Sequence, residues 1–217
     1  MLPFTRDEFL AVFAAFNDVF WPAEIVAYAL APLLVALMLW PSAARSRVLL
    51  ALLAAAWIFT GIAFFGFFFA ATNPAAYLFA ALFVVQGVVM LACAWRRGGA
   101  PLFAPRMGLS GVLGASLLAY AGFLYPLLGR VLGPGYPAVP AFGITPCPLV
   151  LFTLGLFLLT ASRVPAALLV VPLLWTIVGG SAALLLTMPQ DWVLLLSGAA
   201  AAAVLWTRDR REAAAPA

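Results

Sequence analysis

Apolar residues run through this chain in long blocks, broken by short clusters of Arg, Pro, Gly, Asn and Asp. The blocks predict seven transmembrane helices, at 21–40, 48–71, 75–95, 109–129, 147–162, 165–187 and 191–206. Crossing a hydrocarbon core takes about 20 helical residues. The fifth block, of about 16, is short for that and is expected to begin below the surface. Residues 4–20 follow a different pattern. Thr5 with Glu8 three positions later matches a capping box. Phe9, Val12, Phe13, Phe16 and Phe20 then recur at helical spacing, and Asn17 and Asp18 interrupt the run. This predicts an amphipathic interfacial helix with Asp7 and Glu8 exposed. The expected fold is an all-α membrane protein in one polytopic domain, with 207–217 as a cytoplasmic tail.

The polar breaks orient the blocks. Arg45 and Arg47 follow the first block, Arg96, Arg97 and Arg106 the third, Arg163 the fifth, and Arg208, Arg210 and Arg211 the seventh. Those nine share one face if all seven blocks cross, leaving Arg6 and Arg130 on the other. The positive-inside rule then puts the N-terminus outside and the C-terminus in the cytoplasm. Trp21 and Trp192 fall at outer ends, and Trp40, Trp95 and Trp206 at inner ends, as an aromatic belt requires.

A weak repeat runs through the same pattern. Trp57-Ile58-Phe59-Thr60-Gly61 echoes Trp175-Thr176-Ile177-Val178-Gly179, and Thr72-Asn73-Pro74 echoes Thr187-Met188-Pro189. Spans 1–3 and 5–7 would then be parallel repeats joined by an inverting fourth span, the 3+1+3 layout of some transporters.

Composition narrows the chemistry. All eleven basic residues are Arg, and the chain has no His. Without Lys, a Schiff-base cofactor is excluded. Without His, the commonest zinc and haem ligand and the commonest general base are missing. Two cysteines, Cys93 and Cys147, make no ordinary zinc site. No cofactor or metal is expected, and a charge of +4 without a basic stripe points away from nucleic acid.

The uncommon polar residues gather toward the outer side. In Gly143-Ile144-Thr145-Pro146-Cys147-Pro148, Thr145 is a natural N-cap and Pro146 suits the first helical position. That sets Cys147 at a helix N-terminus, where the dipole favours anions. Glu24 is an intramembrane acid, with Arg130 its natural partner. Asn73, Gln190 and Asp191 occupy outer turns, Asp191 as an N-cap for the seventh span. Gln86 is the one amide deep in a block and either ties helices together or meets a solute. Trp57 and Trp175 lie away from the belts and either line a pocket or pack on a glycine one turn on. Pro32 and Pro172 each free the carbonyl four residues before and kink their helices. Gly111, Ala115 and Ala119 form a small-residue face suited to helix packing or a homo-oligomer contact.

Phe13-Ala14-Ala15-Phe16-Asn17 leading to Trp21-Pro22-Ala23, with Asn73-Pro74-Ala75-Ala76, Tyr125-Pro126, Thr145-Pro146-Cys147-Pro148 and Pro189-Gln190-Asp191, resembles a family of bacterial multi-pass membrane proteins. It is a domain of unknown function, some of whose members are labelled permeases. The resemblance implies a bacterial inner-membrane location and carries no catalytic residue. The expected function is binding or transport of a small polar or zwitterionic solute from the periplasmic side, at an outer pocket built from Glu24, Asn73, Gln86, Arg130, Cys147, Gln190, Asp191, Trp57 and Trp175. The alternatives are a non-catalytic membrane accessory protein and a Cys147-dependent outer-face enzyme. Transport predicts a hydrated path to Gln86, an accessory role a closed bundle, and an enzyme a Cys147 within reach of Glu24 or Asp191.

Overall fold

The computed structural model describes residues 2–96 and 98–214, with backbone alone for 212–214. The expectations placed on Arg97 and on the last three residues of the tail fall outside the described residues. The described chain forms seven helices: α1 (Arg6–Leu39), α2 (Ala43–Thr72), α3 (Ala76–Trp95), α4 (Gly108–Leu132), α5 (Pro146–Leu158), α6 (Ala166–Leu185) and α7 (Trp192–Ala214). A 3-10 turn, Pro189–Asp191, leads into α7. Among the described residues there is no strand, only an isolated antiparallel bridge between Phe103 and Thr160. Six of the helices are long and apolar enough to cross a bilayer; α5, at 13 residues, is not.

The two pieces predicted before residue 41 are one helix of 34 residues, bent at Phe20, where φ is −105° and ψ is 16°. Pro22 accounts for the bend, because it cannot donate to the Asp18 carbonyl and its ring crowds that turn. The capping box is present: Glu8 N–H donates to Thr5 Oγ1 at 3.3 Å, and Thr5 N–H donates to Glu8 Oε2 at 2.7 Å. The first half of α1 packs its phenylalanines along α2. Phe13 stacks on Phe64 with centroids 5.1 Å apart, and Phe16 meets Phe64 and Phe68 edge-on at 5.3 Å. Residues Thr60–Phe69 of α2 wind as a π-helix, a local widening common at functional sites.

The other helices surround α5. Every residue from Pro148 to Leu158 is buried, so α5 is apolar on all sides, as a helix with no exposed face must be. It leaves helical geometry at Leu159 and ends short of the expected 162, because Thr160 pairs with Phe103 instead. Its closest neighbour is α4. A Cβ on Gly155 would stand 3.0 Å from the Gly114 carbonyl, and one on Gly114 3.0 Å from the Gly155 carbonyl. Gly114 therefore makes the close crossing, whereas Ala115 and Ala119 of the expected small-residue face are exposed and Gly111 is buried against its own Arg106 carbonyl.

Arg-rich segments tie one end of the bundle together. The Thr160 carbonyl, just past α5, accepts from Arg106 Nη1 at 2.8 Å and from Arg208 Nη1 at 3.2 Å. Two cations there complement the negative end of the α5 dipole. Ala161 N–H donates to the Leu102 carbonyl, Phe103 N–H to Ser46 Oγ, and Arg163 pairs with Asp209 at 3.5 Å. At the opposite end, residues 133–145 cross over the bundle. Asn17 Nδ2 ties that segment down by donating to the Pro137 carbonyl at 2.6 Å and the Val139 carbonyl at 2.7 Å.

Candidate functional site

The α5 N-terminus is set by Thr145-Pro146-Cys147-Pro148, as its residue types predict. Thr145 occupies the N-cap position and Pro146 the first turn, but the Thr145 hydroxyl donates back to the Ala141 carbonyl at 2.7 Å instead of accepting from the helix. The reason is in the sequence: Pro148, at the third helical position, removes one of the two N–H groups a cap serves, and Pro146 removes that of the first. The same loss weakens the anion site expected from the α5 dipole, since few donors remain to face an anion. Gly143, at φ +73°, brings the preceding turn against Ala27, where a Cβ would lie 2.7 Å from the Ala27 Cβ.

A cavity of about 320 Å³ opens beside this N-terminus. Its polar lining is Asn73, Cys147, Ser181 and Asp191; seven phenylalanines, Trp175, Met188 and aliphatic side chains make up most of the rest. The first half of α1 supplies Phe4, Phe9 and Phe13, the π-helical turn of α2 supplies Phe64, Phe65 and Phe69, and α3 supplies Phe79. Phe65 and Phe79 stand edge-on to Trp175 at 5.1 and 5.4 Å.

Asp191 is the charged group of this lining and is 3% exposed. Tyr125 Oη donates to its Oδ1 at 2.6 Å, and Cys147 lines the same cavity. The carboxylate thus serves the cluster rather than the first turn of α7, which corrects the N-cap role. Tyr120 Oη donates to the Gln190 carbonyl at 2.7 Å, fixing the 3-10 turn that carries Asp191. The Trp175 indole stands beside the thiol with Nε1 unpartnered. Asn73 closes its own turn, its Oδ1 accepting from Ala75 N–H at 3.1 Å.

Four of the sequence-selected residues therefore meet at one cavity: Asn73, Cys147, Asp191 and Trp175. The others lie apart from its lining. Gln190 is buried next to Asp191, with both side-chain polar atoms unpartnered. Glu24 is half-buried on the second half of α1, with Arg130 acting on it through space but no ion pair between them. Tyr136 of the overlying segment lies near it: partial burial raises its phenol above the ordinary value, and the charges of Glu24 and Asp18 add to that. Gln86 donates from Nε2 to the Leu168 carbonyl at 3.0 Å, and Trp57 from Nε1 to Thr153 Oγ1 of α5 at 3.0 Å, both inside the core. Cys93 and Cys147 are free thiols.

Tyr120, Tyr125 and the phenylalanine walls were missed by sequence reasoning. The polar count drew attention to acids and amides, while a cavity wall of Phe looks like any apolar helix face. The signals were two tyrosines five apart near the end of the fourth block and the Tyr125-Pro126 pair among the family-like motifs.

Residues 6–215 match a protein family described as a family of unknown function, DUF6064. The chain belongs to that family. The match covers nearly all of the DUF6064 chain, and the family's description carries neither a permease nor a membrane label. No curated protein and no solved structure shows significant similarity to it.

Proposed function

We propose that this DUF6064 protein is a seven-helix integral protein of the bacterial inner membrane that binds a small solute from the periplasmic side, in the cavity shared by Asp191, Cys147, Asn73 and Trp175. The observation that carries the reading is a buried carboxylate lining an open volume. A buried acid is costly unless paired or put to use, and intramembrane acids mark sites by default. The Arg distribution supports a periplasmic N-terminus and a cytoplasmic C-terminus. The 3+1+3 repeat belongs to the same reading, with Trp57 of α2 stacked on Phe83 at 4.5 Å and Trp175 of α6 edge-on to it at 5.1 Å.

Binding is favoured over transport by the hydrogen bonds that tie the Arg-rich end together and by Gln86, which is buried and spends its amide on the Leu168 carbonyl. One observation favours the enzyme reading: Cys147 and Asp191 line the same cavity. Against it, the Asp191 carboxylate is already engaged by Tyr125. The lining is mostly apolar, so the solute is an amphiphile with a small polar head.

The test is a solute screen by thermal stabilisation of the purified chain in lipid nanodiscs, run against an Ala182→Phe variant that fills the cavity. A solute that stabilises the parent and not the filled variant is the expected result. A cell phenotype of gene loss that the filled variant restores in full would remove the cavity from the function.

A further inference from the structure

The cavity holds an acid and no base. None of its lining residues is Arg, and neither of the ion pairs found among the described residues, Arg163–Asp209 and Arg208–Asp209, involves Asp191. The side-chain hydrogen bond to it comes from the Tyr125 phenol, a neutral donor. A carboxylate offers about four lone-pair sites, so acceptor capacity remains toward the cavity. Charges removed from water are held by hydrogen bonds and by a countercharge, and here the chain supplies the first alone.

The walls complement what is missing. Seven phenylalanines and Trp175 surround the volume. Aromatic faces carry negative quadrupole density, and rings arranged around a carboxylate attract an organic cation while giving its alkyl groups an apolar fit. A bare metal ion suits the site poorly. Hard cations take about six oxygen ligands, and no group of three or more metal-ligating side chains occurs among the described residues. An anion would face Asp191 and a helix start stripped of donors by two prolines.

We infer that the cavity takes an organic ammonium with an apolar body, its nitrogen facing the Asp191 carboxylate and its alkyl or aryl groups against the Phe and Trp175 rings. This rests on the solute-binding reading and narrows it to one chemical class. The volume of about 320 Å³ matches a small amphiphilic amine.

The experiment compares phenyltrimethylammonium with its uncharged carbon isostere tert-butylbenzene and with benzoate. Binding to the full chain in nanodiscs is read from tryptophan fluorescence and thermal shift, for the parent, Asp191→Asn and Phe79→Leu. The expected result is that the ammonium binds about tenfold more tightly than the isostere. Asp191→Asn removes that preference and leaves tert-butylbenzene unaffected, and Phe79→Leu reduces it. If Asp191→Asn does not fold, Phe79→Leu carries the comparison. Equal binding of ammonium and isostere, unchanged in the variants, overturns the ammonium class and leaves a solute site standing. Preference for benzoate does the same. Failure of all three probes to bind overturns both this inference and the solute-binding reading.

Discussion

Gln86 donates from its amide to the Leu168 carbonyl at 3.0 Å, and that carbonyl is the one Pro172 cannot serve. In an uninterrupted helix the N–H of residue 172 would reach it. The proline removes that donor, and a side chain from α3 replaces it across the helix interface. Of the two readings open to this amide in the sequence, a tie between helices and a contact with a solute, the bond to Leu168 is the tie, and it repairs a helix start.

Replacing Gln86 by Leu leaves this buried carbonyl without the amide and should cost about 1–3 kcal/mol. In a Pro172→Ala background the backbone N–H returns, and the cost of Gln86→Leu should shrink. A double-mutant cycle on thermal or denaturant unfolding in detergent measures the coupling. Equal costs in both backgrounds would disconnect the two residues.

Tyr125→Phe deletes a donor to Asp191 with almost no change of shape. The expected loss is about 1–3 kcal/mol of stability, because the carboxylate stays buried with one partner fewer. Asp191→Asn combined with Tyr125→Phe should cost less than the sum of the two single changes. Additive costs would mean that the pair does not act as a unit.

The α4–α5 crossing has no room for a side chain. Gly155→Leu should destabilise by about 1–3 kcal/mol or prevent insertion, since its Cβ alone would meet Leu118 Cδ2 at 2.9 Å. Ala115→Leu, on the exposed side of α4, should stay within about 0.5 kcal/mol. Size-exclusion with light scattering on the same variant tests the homo-oligomer contact proposed for Gly111, Ala115 and Ala119: a dimer that dissociates in Ala115→Leu places that face between subunits.

Topology is best probed where side chains are free. Gln190, in the 3-10 turn before α7, and Ser46, near the start of α2, are buried, 1% and 2% exposed, and would label poorly. Tyr136 and Met107, at 47% and 95%, are suitable. With Cys93→Ala and Cys147→Ser in place, cysteine introduced at position 136 should react with an impermeant maleimide in intact cells. At position 107 it should react only after permeabilisation. The reverse pattern overturns the orientation, and reaction of both from outside overturns the number of crossings.

Arg208 and Arg106 share the Thr160 carbonyl, so neither alone is indispensable to it. Arg208→Met should cost about 1.5–3 kcal/mol for the charged hydrogen bond, offset in part by Arg106. Arg106→Met together with Arg208→Met should cost more than the sum, because the α5 C-terminus then loses both donors. Unfolding midpoints of the three variants decide it.

Block length, hydropathy, Arg placement, the Thr5–Glu8 capping box and the proline positions are local quantities, and each is legible in the chain. They determined the seven apolar blocks, where most of them begin and end, and which end gathers the cations; that residues 4–20 and the first block form one bent helix was decided by the tertiary structure. The position of α5 was legible only as a short block; its burial on every side depends on the helices around it. Which polar residues share a site was decided by helix rotation and packing. Asn73, Cys147 and Asp191 converge because α5 and the Pro189–Asp191 turn face the same volume. Glu24 and Gln86 do not, one lying on the second half of α1 and the other claimed by a proline's orphan carbonyl. The phenylalanine walls and Tyr125 belong wholly to the tertiary structure. An apolar ring carries no sequence mark telling a packed core from the lining of a cavity, and a tyrosine becomes a carboxylate's partner only when two helices 66 residues apart set them within 2.6 Å.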